Sequence, residues 1–395
     1  MTFLRVNSPM KCCRTLVLAL FSFAVLVGVP LCGQVQVSVR NPINIARQSE
    51  TISLKADQLK NVLSVDDLRR VHVRDSQTGK DLLTQAVDDD GDGKYDELLF
   101  QSDFAPGEIR TFELTVGERT IPSVQDFKAY ARFVREREDD FAWENDRIAH
   151  RMYGEALETW PQEPLTSSAV DVWVKKTPRL VINDWYMVDD YHRDHGEGGD
   201  FYNAGTTRGC GGNGIWARGR LYPSANFRNS RVIANGPIRV SFELTYAPWD
   251  VGGAHVSEVK RITLDAGQNF DHFESHYTIM GNSAGLEDAV GIRKGSDADI
   301  AKSPDAGTLR SWETLGSHGK LGCAVIVNPT SLVTFSEDAK TSLVIVKIGS
   351  GQTVSYFSGF GWSQSGFPTE ADWNNYVSDY EKKVAAPLEV TISVH

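Results

Sequence analysis

Apolar residues at every second position constrain this chain most. Ile238, Val240, Phe242, Leu244 and Tyr246 alternate with Arg239, Ser241, Glu243 and Thr245. A strand turns successive side chains to opposite faces, so such a segment buries one face and wets the other. Phe112, Leu114 and Val116 repeat the pattern, as do Leu388, Val390, Ile392 and Val394, and residues 323–327 and 342–348 are shorter apolar strands. Turn chemistry separates them: Asp90-Gly91, Asn235-Gly236-Pro237, Gly252-Gly253 and Gly349-Ser350-Gly351. No fixed-period repeat and no succession of strand–helix units is present, which excludes solenoid and Rossmann architectures. One helix is expected near 369–384. Thr369 caps it, Asp372 stands three residues later, and Trp373, Val377, Tyr380 and Val384 form an apolar stripe. The expected fold is all-β, a large antiparallel β-sandwich with one C-terminal helix.

Lys11 and Arg14 precede an apolar run over 16–31 that ends at Cys32-Gly33. That is the pattern of a secretory signal, and the run is shorter than a membrane span of about twenty residues. The chain therefore divides into a signal peptide (1–33), a small N-terminal β region (34–125) and a main sandwich (126–395). The expected location is periplasmic or secreted, with no membrane span after cleavage. Lys and Arg number 41 against 52 Asp and Glu, a net charge of −11. Residues 1–33 carry Arg5, Lys11 and Arg14 and no acid, so the exported chain carries −14. Binding nucleic acid requires a cationic face, and no basic block occurs, which excludes that partner class. Cys12, Cys13 and Cys32 leave with the signal. Cys210 and Cys323 remain, either as one disulfide or as two buried thiols.

Four constellations carry candidate chemistry. Asp88, Asp90, Asp92 and Asp96 surround Gly91 and Gly93. Acids at alternate positions with a glycine for the sharp turn resemble the start of a calcium loop. Position twelve, where an EF-hand needs Glu, is Leu99, so the choice lies between a structural Ca2+ site and an acidic hairpin turn. No organic cofactor is implied. The second constellation runs over 184–202, with His192, Asp194, His195, Glu197, Asp200 and Tyr202 among glycines. A glycine-rich loop carrying ionisable groups on a rigid sheet is a common way to build a site. The third runs over 139–154. Read as a strand, it puts Ile148, His150 and Met152 on one face and Ala149, Arg151 and Tyr153 on the other. A guanidinium beside a phenol can grip a sugar carboxylate while the ring stacks or moves a proton, although Arg147 and Arg151 could instead neutralise neighbouring acids. In the fourth, His272, Glu274 and His276 share a strand face that could hold a metal or remain a solvated surface.

Together, Asp90-Gly-Asp-Gly-Lys-Tyr-Asp-Glu-Leu-Leu-Phe-Gln101, Asp140-Phe-Ala-Trp-Glu-Asn-Asp-Arg147, Arg151-Met-Tyr-Gly154, Tyr191-His-Arg-Asp194 and Asp200-Phe-Tyr202 resemble the DUF4861 family of secreted bacterial proteins. The resemblance covers nearly all of the mature chain. It implies a fold similar to the galactose-mutarotase supersandwich and a setting of polysaccharide degradation, often of uronate-containing glycans. It supplies no catalytic residues.

The functional expectation is an enzyme acting on acidic oligosaccharides. In a lyase, Arg151 or Arg208 would neutralise the uronate, His192 would act as base and Tyr202 as acid. In a hydrolase, Asp194 with Glu197 or Asp200 would form the carboxylate pair. A mutarotase-like epimerase would use the same loop. The substrate wall would include His150, Tyr153, Trp143, Trp185 and Trp362. The rival expectation is a non-catalytic glycan-binding protein with Trp143, Trp185, Trp216 and Trp362 as stacking platforms.

Overall fold

Period-two burial is realised most fully in strand Ala254–Asp265, where every inward residue is buried and the outward ones are half-exposed, or exposed at His255. It lies in an eight-stranded antiparallel sheet ordered Phe227–Asn235, Arg239–Val251, Ala254–Asp265, Phe270–Met280, Thr353–Trp362, Lys320–Val327, Thr308–Thr314 and Asp299–Ser303. The computed structural model describes residues 34–162 and 164–395. The signal segment assigned to 1–33 lies outside the described residues. The structure is 51% strand and 12% helix, and no barrel closes among the described residues.

Two five-stranded sheets cover one face of the large sheet. One is ordered Gly198–Gly199, Asp171–Lys175, Ile148–Met152, Asp140–Asn145 and Ala129–Val134. The other contains Arg220–Tyr222, Cys210–Ala217, Glu287–Arg293, Thr341–Lys347 and Leu332–Glu337. Phe141, Val172, Ile215 and Val344 of these layers meet Phe242, Ile262, Phe273 and Val325 of the large sheet in one continuous core. Cys210 and Cys323 are buried there as free thiols, so the disulfide alternative is not realised.

The opposite face receives the helix Glu370–Ala385 through Phe270, Ile326, Trp373 and Val377. Thr369 caps this helix as the sequence implies, accepting from the Asp372 amide, while the Asp372 carboxylate accepts from Thr369. The N-terminal strands have a separate core around Val37, Leu54, Phe100 and Phe112. Gln85 joins them to the large sheet by accepting from the Ile238 and Arg239 amides and donating to the Arg239 carbonyl. Strand Glu389–Val394 returns to pair with Val35–Arg40, so the two ends of the described chain lie side by side in a five-stranded N-terminal sheet. No helix among the described residues is long and apolar enough to cross a membrane.

The sandwich interior also holds a polar chain. Lys260 donates to Glu258 and Asn213, and Asn213 and Tyr277 donate to Asp288. Burial pushes Asp288 up to about 7 from 3.8, with the Tyr277 hydrogen bond opposing it. The native state thus holds this proton more tightly than the unfolded chain. Its contribution is complete below the unfolded value and lost as pH rises through about 7. An Asp288→Asn variant is expected to gain stability relative to wild type between about pH 4 and pH 8, as read by denaturant melts across that range. A difference that stays flat with pH refutes this.

Candidate functional site

Strands Asp140–Asn145, Ile148–Met152 and Asp171–Lys175 are buried at every position, because core lies on both of their faces. Ionisable residues there must find partners or lose their charge. Arg151 finds three. Its Nε donates to Asp171 and its Nη2 to Asp200, each at 2.8 Å, and Nη1 lies 3.4 Å from Asp140. The rings of Tyr153, Trp173 and Tyr191 stand 5.4–5.6 Å from the guanidinium carbon. Asp140 is also approached by Arg137 at 3.7 Å and receives the Tyr186 hydroxyl. Burial pushes Asp140 up to about 6, against the pull of Arg151 and Arg137. Asp200 is raised as well, first by burial and then by Asp171.

A cavity of about 250 Å³ opens beside this cluster, with Arg151, Tyr153, Asp171, His192, Asp200 and Phe201 among its walls. His192 is 64% exposed, with Nδ1 3.1 Å from the Asp200 carbonyl and 3.5 Å from its carboxylate. A carbonyl oxygen only accepts, so Nδ1 carries the proton and Nε2 is the basic nitrogen. Tyr153 donates to Asp171 at 3.1 Å. Burial raises its phenol far above the ordinary range, so the hydroxyl keeps its proton.

The loop departs from its sequence reading in one respect. Residues Ile182–Val188 form a helix, ended by Asp189 in the left-handed region at φ 54°. The buried Glu144 carboxylate accepts from the Val181 and Ile182 amides at the start of this helix and also takes the Lys175 ammonium. Glycine is then required at 198, where φ is +113° and a Cβ would stand 2.0 Å from the Val174 carbonyl oxygen.

The structure distributes the sequence candidates unevenly. Arg151, Tyr153, His192, Asp200 and Tyr202 all line the cavity. The Tyr202 hydroxyl, however, is buried toward Cys323, Cys210 and Glu313, so it is not placed as an acid beside His192. Asp194 is held by Lys176 at 2.7 Å and by the Gly196 and Gly198 amides, and Glu197 sits in the fork of Arg179. Neither lines the cavity, so the expected pairing of Asp194 with Glu197 or Asp200 does not assemble there, and the carboxylates in its wall, Asp171 and Asp200, are both held by Arg151. Arg208 is interior, donating to Ser168, with no carboxylate partner among the described residues. Burial lowers it to about 10, and it cannot serve as a substrate clamp. His150 is interior too, with Nδ1 on the Asp171 carbonyl, Nε2 3.1 Å from Asp271, and its ring stacked on Trp143. Trp143 donates to Asp271, and Trp362 to the His318 carbonyl. Both indoles are buried and are not stacking platforms. Trp185 is half-buried against Trp173.

The acidic turn brings carboxylate oxygens of Asp88, Asp90 and Asp96 within 4.8 Å of one another. Asp92 turns to Lys94 instead. Backbone amides of Gly91 and Gly93 donate to Asp88, and that of Asp89 to Asp96. His272 and His276 bond to Ser355 and Thr353 across the sheet rather than converging on one point.

Sequence reasoning did not single out Asp171 or Phe201. Asp171 had a signal: it is the one charged residue in the apolar stretch 169–174.

The chain matches the family described as Domain of unknown function (DUF4861) over residues 39–390 and belongs to it. It is 34% identical over 374 residues to Uncharacterized protein P7 of Formosa agariphila, covering 90% of this chain and 93% of that protein. Among solved structures it is similar to an alpha-mannosidase from Enterococcus faecalis V583, with TM-score 0.53 and 12% identity. That match covers 92% of this chain and 46% of the mannosidase. A protein in glycosyl hydrolase family 38 from Enterococcus faecalis matches with TM-score 0.53 and 11% identity, over 92% of this chain and 48% of that one. This chain therefore spans about half the length of those proteins, and the likeness is one of fold.

If Arg151 is the electrostatic centre of this cluster, Arg151→Met leaves buried Asp171 and Asp200 without their ion pair and Asp140 with Arg137 alone. The expected loss is about 3–5 kcal/mol in chemical denaturation at neutral pH, partly recovered in acid as the aspartates protonate. An unchanged midpoint would mean that the guanidinium carries no such load.

Proposed function

We propose that this protein is an exported carbohydrate-active enzyme that cleaves uronate-containing oligosaccharides by elimination in the His192 cleft. The observation that carries the reading is the seating of His192: Nδ1 is tied to Asp200, and Nε2 has no partner among the described residues. That is the arrangement of a general base oriented by a neighbouring group. Nε2 takes the proton from the carbon next to the sugar carboxylate, and the C–H electron pair becomes a C=C bond. The adjacent C–O bond breaks, and its oxygen takes a proton from water admitted to the open cleft, since the buried Tyr153 hydroxyl is committed to Asp171. The products are a new end and an unsaturated uronide, and the His192 imidazolium returns its proton to the solvent, which restores the base.

Arg151 is saturated by aspartates, so it orients Asp200 rather than gripping substrate. The cation for the carboxylate comes from an adjoining hollow of about 450 Å³ that shares Asn203, Ala204 and Gly205 with the cleft: Lys340, without an ion pair among the described residues, lines it beside Arg293 and Lys294, which pair with Glu313 and Glu337. The engagement of Asp194 and Glu197 in ion pairs favours elimination over hydrolysis. The sugar class is further supported by the fold shared with proteins named as a mannosidase and a family 38 glycosyl hydrolase.

Incubating the mature protein with oligouronides, while following ultraviolet absorbance and reducing ends together, tests the reaction. Both signals are expected to rise. His192→Ala should lower turnover by about a hundred- to ten-thousandfold while retaining affinity. Wild-type turnover in that variant removes His192 from the mechanism, reducing ends without absorbance point to hydrolysis, and binding without turnover points to a glycan-binding protein.

A structural Ca2+ held by Asp88, Asp90 and Asp96 completes the proposal. Calcium should raise the melting temperature of the wild type but not of Asp90→Asn, with turnover unaffected in both. Equal responses from the two proteins would dismiss the ion.

A further inference from the structure

The outward face of the eight-stranded sheet carries a second cavity that shares no residue with the His192 cleft. It measures about 270 Å³, and its walls include Arg239, Arg261, His272, Glu274, Phe357 and Tyr380. It continues into a hollow of about 340 Å³ through the shared residues Asp265, Gln268, Phe357 and Tyr380. The helix Glu370–Ala385 contributes Tyr380 to both, and the strand Arg47–Lys55 of the N-terminal region also lines both. Together they form a groove longer than either cavity. His272 and Glu274, which stood out in the sequence, find their place here.

The charges in this groove are sorted. Arg239 is forked onto Asp265 at 2.6 and 2.9 Å and reaches Glu97 at 3.1 Å. Lys55 takes Glu97 at 2.8 Å, and Arg261 takes Glu243 at 2.9 Å. The cations are thus satisfied from within. The Glu274 carboxylate and the Tyr380 hydroxyl have no hydrogen bond or ion pair among the described residues. The Asp89 carboxylate has only Arg261, at 3.8 Å. Ring surface comes from Phe357, stacked on His272 at 4.7 Å and set edge-on to Tyr380 at 5.6 Å.

Open carboxylates accept from hydroxyl groups and repel anions, while aromatic surface packs against the C–H face of a sugar ring. From this combination we infer that the groove binds neutral sugar units of a glycan chain, separately from the His192 cleft. The inference does not depend on the elimination chemistry, since none of its residues takes part there. Its function would be to hold the chain on the protein, raising the local concentration of glycan near the cleft.

Calorimetric titration of the mature protein with cellotetraose, xylotetraose, mannotetraose and maltotetraose, and with tetragalacturonate as the anionic control, tests this. At least one neutral tetrasaccharide is expected to bind. Glu274→Gln, which keeps the side-chain shape, and Phe357→Leu should each weaken it about tenfold. His192→Ala should leave the same titration unaltered. The inference is overturned if no neutral tetrasaccharide binds, if binding survives both groove substitutions, or if only tetragalacturonate binds. Loss of binding in His192→Ala would assign it to the cleft instead and equally end the proposal.

Discussion

One buried guanidinium organises the candidate site. Arg151 stands on a strand with core on both sides, and its three carboxylate partners come from separate segments: Asp140, Asp171 and Asp200. Burying a cation costs several kcal/mol before any partner is counted, and so does burying each acid. The cluster persists because every member offsets another. Its geometric consequence is to pin the loop at Asp200 to the sheet, and the Asp200 carbonyl and carboxylate then fix His192 at the rim. The exposed imidazole is therefore held by a rigid interior rather than by its own loop.

The large sheet makes that interior possible. Its inner face takes two further sheets and its outer face takes a helix and the N-terminal strands, so neither side is simply solvated. A two-sided sheet of this kind explains why the outward residues of an alternating strand can be partly buried and charged at once. Arg239, Arg261 and Glu243 are outward in the alternation, yet they lie in or beside a groove. Outer positions that would be bland on a one-sided sheet here become a surface with shape.

Much of the architecture was legible because its determinants are local. Alternation in 238–246 and the cap at Thr369 each act over a few residues, and the strand and helix formed where they point. The free state of Cys210 and Cys323 left no such local mark. The helix Ile182–Val188 was not legible, because its start is held by Glu144, a residue 37 positions away from Val181 in the chain. The site shows the same division. Arg151, Tyr153, His192 and Asp200 could be named from composition and spacing, but their roles could not be assigned. Whether an arginine is free to bind substrate depends on its neighbours in space, and Asp171 lies twenty residues along the chain from Arg151. The indoles of Trp143 and Trp362 were misjudged for a related reason: an aromatic side chain looks the same in sequence whether it faces solvent or core.

The density of charge between 184 and 202 suggested a site, but most of that charge is structural. Asp184 and Glu197 are bound to Arg179, Asp194 to Lys176, Asp190 to His195 and Asp200 to Arg151. Each such pair fixes one point of a loop whose glycines would otherwise leave it loose. What remains after the pairs are removed is the exposed Asp189 and Arg193, neither of them in the cleft wall, and the Nε2 of His192, whose side chain lines the cleft. A base needs only one basic atom held in place, whereas a hydrolytic pair needs two carboxylates free of cations. The partitioning of charge in this loop is therefore the physical argument on which the proposal of elimination rests.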